Sequence, residues 1–152
     1  MNCLMLTAAL AGVVAFAGGG GRDTTVKLTV PKSVAAHAAL RAAGDSKVSP
    51  PILILEGVEL GEGEGITIRV LGPAATGAAK SAPVLGSASM VGHPQKVPKR
   101  PLRKTTLTVP LNDRAVELLA GRSEIILTLR VTNSPGRAPL KIERVFFQEP
   151  DR

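Results

Sequence analysis

From residue 52 onward the chain is a succession of strand-length runs of apolar and β-prone residues: Ile52–Leu60, Ile66–Leu71, Val84–Val91, Thr105–Leu111, Ile125–Thr132 and Leu140–Gln148. Most alternate in the period of two that marks a half-buried strand. Ile66, Ile68 and Val70 share one face; Leu107, Val109 and Leu111 oppose Thr106 and Thr108; Ile125, Leu127, Leu129 and Val131 oppose Ile126, Thr128 and Arg130. Ile52-Leu53-Ile54-Leu55 is apolar on both faces, which predicts a central strand, and Gly57 just beyond it marks a bulge. The joints are rich in Gly, Pro, Ala and basic residues. Asn112 or Asp113 is placed to cap one turn of helix that Gly121 ends, and the Pro135-Gly136 pair predicts a tight turn that lays the last strand antiparallel to its predecessor. The class that follows is all-β: an antiparallel, jelly-roll-like β-sandwich of about six to seven strands with one short helical turn.

The first fifty residues differ. Residues 3–17 are an uncharged apolar run ending in Gly18 to Gly21, and Ala15-Phe16-Ala17 has the small-x-small pattern that precedes signal cleavage, although no basic region precedes the run. Residues 1–21 therefore read as an apolar leader or as an artefactual N-terminus. Thr25, Lys27 and Thr29 alternate with Val26, Leu28 and Val30 in one short strand before Pro31. An Ala-rich linker follows, in which Ser33 to Ala43 suits a helical turn or two with Ser33 as cap and Gly44 as stop. The expected division is 1–21 leader, 22–50 strand plus linker, and 51–149 sandwich domain.

Composition narrows the chemistry. The chain has 152 residues, no Trp or Tyr, and only Phe16, Phe146 and Phe147, so its core must be built from Val, Ile and Leu. Cys3 is the one cysteine, which excludes an intramolecular disulfide. The apolar run 3–17 is too short for a comfortable membrane crossing, so no stable span is expected. Nineteen Lys and Arg against twelve Asp and Glu give a net charge of +7, which favours acidic partners in general. The most basic stretch holds Lys96, Lys99, Arg100, Arg103 and Lys104, kept extended by Pro98 and Pro101, and these five are the candidate partner contacts. No aromatic residue lies near for base stacking, so the stretch reads as a solvated loop and not as a nucleic-acid site.

No constellation of catalytic residues stands out. Nothing marks His93 as a base beside Ser87 or Ser89, and nucleophilic catalysis needs that pairing. Glu56, Glu59, Glu62 and Glu64 are interleaved with glycines, which reads as a solvated turn; a calcium loop needs more oxygen ligands at fixed positions.

Several stretches, taken in order, resemble the carboxy-terminal domain of plant polyphenol oxidases, the catechol oxidase and tyrosinase group. The first is Ile54-Leu55-Glu56-Gly57-Val58-Glu59-Leu60, similar to the Leu-Glu-Gly-Ile-like strand that opens that domain. Gly86-Ser87-Ala88-Ser89-Met90-Val91-Gly92-His93, followed by Lys96 to Lys104, resembles its Gly-Ser-Phe-Val-like strand, histidine and lysine-rich loop. Thr105-Thr106-Leu107, Val116 to Leu119, Ile126 to Val131 and Ile142-Glu143-Arg144-Val145 resemble the remaining strands and turn. The Lys-Phe-Asp-Val motif of the family is replaced by Ile66-Thr67-Ile68-Arg69-Val70, without the aromatic ring or the carboxylate.

The resemblance implies a non-catalytic domain that packs on, and shields, the dicopper catalytic domain of an o-diphenol:oxygen oxidoreductase, in cis or in trans. It also implies a plastid (thylakoid lumen) location, against a secretory one if residues 1–17 act as a signal. Family oxidases hold each of two coppers with three histidines, the fitting ligand for such copper. His37 and His93 are the only histidines here, so no copper cofactor and no catalysis are expected of this chain itself. The alternative is a stand-alone lumenal or secreted sandwich that binds an anionic partner through the loop at 96–104.

Overall fold

The computed structural model describes residues 23–59, 66–74, 82–90, 104–132 and 141–150. They form β1 (Asp23–Thr29), α1 (Lys32–Ala42), β2 (Ile52–Glu59), β3 (Ile66–Leu71), β4 (Val84–Met90), β5 (Lys104–Pro110), α2 (Asp113–Leu119), β6 (Glu124–Thr132) and β7 (Arg144–Phe147). Two antiparallel sheets face each other, one of four strands in the order β1-β6-β3-β4 and one of three in the order β5-β2-β7. Only β3 and β4 follow one another within a sheet; every other consecutive pair of strands alternates between the sheets.

The alternating runs set which residues meet. Val26 and Leu28 of β1, Ile68 and Val70 of β3, Leu107 and Val109 of β5, and Leu127 and Leu129 of β6 all point inward and join Leu53, Leu55 and Phe147 in one continuous core. No polar or charged residue is buried among the described residues. The bulge expected at Gly57 is present: Leu55 pairs with Leu107 but Val58 pairs with Thr105, so β2 carries one residue more than β5 over this stretch. Gly57 adopts φ +69, the left-handed region open to glycine. The extra residue shifts the phase of β2: Val58 stands opposite Thr105, where strict pairing would have put Gly57, and turns into the core.

Residues 23–50 do more than a strand and a linker would. β1 pairs with β6 over its whole length, and α1 inserts Val34 and Ala38, one turn apart, into the common core. The described fold therefore has two helices, the short one expected near Asn112 and α1, three turns long where the sequence suited a turn or two. The start of α1 also differs, with Pro31 at the N-cap position and no side-chain cap, so Ser33 lies inside the first turn. Its end is as the sequence indicates: Gly44 N–H donates to Arg41 O at 2.9 Å and Asp45 N–H to Leu40 O at 3.2 Å, the paired bonds of a Schellman motif.

The pairing of the last strand is corrected too. β7 joins β2 in the three-stranded sheet, with Leu53 opposite Phe147 and Ile54 opposite Phe146, and does not pair with its predecessor β6. The reason is that both edges of β6 are already taken, by β1 and by β3.

Candidate functional site

Only Lys104 of the five candidate partner contacts falls within the described residues; Lys96, Lys99, Arg100 and Arg103 lie outside them, as does His93. Lys104 opens β5 at the surface, and its ammonium bonds the carboxylate of Glu143. That bond, with the charges of Glu143 and Glu59 beside it, holds the Lys104 pKa above the ordinary lysine value. The charge of Lys104, one of the five, is thus met inside the chain.

The positions that carry the family resemblance come together as scaffold. Leu55 and Leu107 are buried and directly opposite across β2 and β5, with half-buried Thr105 and exposed Thr106 on the same strand as Leu107. Glu56 receives two bonds from the Arg144 guanidinium on β7, one of them from Nε at 2.8 Å. Gly57 lies directly beneath Glu143. Gly86 sits where the sheets approach at one end: it bridges to Leu111, and a Cβ there would stand 2.6 Å from the Pro110 carbonyl oxygen. Ser87, the next residue, is exposed on β4 opposite Arg69.

The two outer faces of the sandwich are chemically unlike. The four-stranded sheet presents Thr25, Lys27, Thr67, Arg69, Ser87, Ser89, Thr128 and Arg130, with two exposed large apolar side chains, Ile126 on β6 and Val84 at the start of β4. Arg130 grips Asp23 through Nε at 2.9 Å and Nη2 at 2.8 Å, and this bond holds the Asp23 carboxyl below its ordinary range. Lys27 and Glu124 pair at 2.7 Å. Hydroxyls and charges on alternate positions make an ordinary solvated face.

On the three-stranded sheet the register aligns Thr108, Ile54 and Phe146 in one row, with Pro110 and Ile52 in the next. Ile52, Ile54 and Phe146 are half-buried, while Thr108 and Pro110 are exposed. The Arg144 guanidinium stands 5.7 Å from the centre of the Phe146 ring while bonded to Glu56, a cation held over an aromatic face. Besides Glu56 with Arg144, the margin of this sheet carries the pairs Lys104 with Glu143 and Lys141 with Glu59, the last at 3.5 Å. These long-range pairs have no local sequence signal.

A cleft of about 350 Å³ opens beside the same sheet, between Val34, His37 and Ala38 of α1, residues 47–52, and residues 148–150. Val34 and Ala38, four positions apart, set the buried face of α1, and His37 and Arg41 lie on the same side of the helix. Arg41 completes that face by donating to the Val48 carbonyl at 2.6 Å and to Asp113 at 3.1 Å. Among the described residues no three His, Cys, Asp or Glu side chains converge to hold a metal ion. No described helix is long and apolar enough to cross a membrane.

The fold thus defines the class, a two-sheet antiparallel β-sandwich. No family model matches the sequence, and no curated protein matches it. Solved structures do match. The chain is similar in fold to a latent aurone synthase (polyphenol oxidase) from natural source, with TM-score 0.59 and 11% identity over 87% of this chain and 26% of that one. A recombinantly expressed latent aurone synthase (polyphenol oxidase) aligns with TM-score 0.61 and 14% identity over 95% of this chain and 29% of that one. At such identities the likeness is one of fold. The chain spans between a quarter and a third of the length of the chains it matches.

Proposed function

We propose that this chain is a non-catalytic sandwich domain of the polyphenol oxidase type, which packs on a dicopper domain and limits access to its metal site. The observation that carries the reading is that almost all of this chain, 87% and 95% in the two comparisons, superposes on only 26% and 29% of latent polyphenol oxidase chains. The ordered motifs from Leu55 to Val145 support it, and so does a total of two histidines, too few for a pair of copper ions with three each. The domain acts by covering. Its apolar contact with the catalytic domain places protein where an o-diphenol would enter, and removal of the cover by proteolysis or rearrangement restores access.

The alternative is an anionic partner held by the basic loop, of which only Lys104, bonded to Glu143, falls within the described residues. The test is kinetic: added to a diphenol-oxidising copper domain freed of its own carboxy-terminal domain, this chain should slow oxidation in a saturable way. Unchanged rates at saturating excess would overturn the reading.

A further inference from the structure

We propose that the outer face of the three-stranded sheet, centred on Ile54 and Phe146, is the surface through which this domain docks on a folded partner that presents an apolar patch; the proposal rests on the function proposed above and names the face that performs it. An antiparallel sandwich ordinarily turns polar residues outward on both sheets. The four-stranded sheet largely obeys this: its two exposed large apolar residues, Ile126 on β6 and Val84 on β4, are separated by β3 and are the kind of isolated apolar residue common on any surface. The three-stranded sheet does not obey it, because Ile52, Ile54 and Phe146 form a contiguous row-to-row patch, extended by Pro110 and the methyl of Thr108. Of the described helices, α1 borders the patch at Ile52, across the cleft.

Three further features fit a protein partner. Arg144 is held by Glu56 with its guanidinium over Phe146, so an aromatic ring and an arginine, the residue types that dominate interface energetics, are fixed in place before contact. The charged side chains along the margin, Glu56, Glu59, Lys104, Lys141, Glu143 and Arg144, are paired with one another, three positive against three negative. The face therefore presents no net charge from them, and its attachment should depend weakly on salt. The occupant is also of domain size: in the solved chains that share this fold, the matched part is 26% to 29% of the polypeptide, leaving the larger share outside it.

The experiment measures binding of the full chain to the freed copper domain at low and high salt. Thr108→Glu is the principal variant, because Thr108 is exposed and its replacement sets a carboxylate beside Ile54 without entering the core. Ile54→Ser is the second variant, and Ile126→Glu on the opposite sheet is the control; circular dichroism and melting confirm folding. The expected result is that the first two weaken binding by at least about tenfold, as loss of an interface anchor does. Ile126→Glu should bind as the unaltered chain does, with little change on added salt. Loss of binding in Ile126→Glu alone, or in none of the three, overturns the assignment of the face and leaves the proposed function standing. Absence of binding by the unaltered chain overturns the function and this proposal with it.

Discussion

At the scale of single residues, two glycines fix geometry that no other residue could supply without cost. Gly57 holds φ +69 in the bulge that turns Val58 inward, and Glu143 lies across the position a side chain would take. Gly86 is required for space. A Cβ on Gly86 would stand 2.6 Å from the Pro110 carbonyl oxygen and 3.1 Å from atoms of both Val109 and Leu111, on the strand that leads into the opposite sheet's end. Backbone cannot yield as a flexible side chain does, so Gly86→Ala should force β4 and β5 apart and destabilise the fold by about 1–3 kcal/mol, the usual range for overpacking. The check is the midpoint of urea unfolding, and an unshifted midpoint would show that the close approach carries no stability.

Among the elements, α2 buries Ala115, Val116 and Leu119 in the core, and one side chain both caps it and ties it to β4. Asn112 Oδ1 accepts from Ala115 N–H at 3.2 Å as the helix cap, while its Nδ2 donates to the Val84 carbonyl at 2.8 Å on β4. Asn112→Ala removes both, and a cost of about 2 kcal/mol is expected, the upper end for a lost N-cap. Asn112→Asp keeps the acceptor and loses the donor, so its denaturation midpoint should fall between the two; a midpoint equal to that of the alanine variant would mean that the cap contributes nothing. This cap was readable in the sequence, as were the helix stop at Gly44, the bulge at Gly57 and the inward residues of β3, β5 and β6, because each depends on neighbours a few positions away. Strand order was not. The Pro135-Gly136 pair pointed β7 at β6, but a strand can pair only with an edge left free, and that depends on β1 and β3, which lie far away in sequence. The candidate face was half legible: Ile52-Leu53-Ile54-Leu55 announced a strand apolar on both sides, whereas Phe146 and Arg144 joined it only through the β2–β7 register.

For the whole molecule, the question is where the folding unit begins. The sequence set the sandwich at residue 51, because residues 31–50 are short in large apolar side chains and their helix is marginal in isolation. Tertiary burial outweighs that weakness. Val26, Leu28, Val30 and Val34 are each at most 4% exposed in the common core, and Arg41 bonds Asp113 at the start of α2. Burying a side chain of this size contributes about 1.5–3 kcal/mol. Four of them together are comparable with the entire net stability of a domain, which is about 5–15 kcal/mol. Loss of β1 would also leave the long edge of β6 unpaired, an invitation to association. A chain running from residue 23 to 152 should therefore unfold in a single cooperative transition, whereas one running from 51 to 152 should show no such transition and should aggregate. Calorimetry and sedimentation of the two chains decide the matter: a cooperative, monomeric 51–152 would place the boundary at residue 51 and reduce β1 and α1 to accessories.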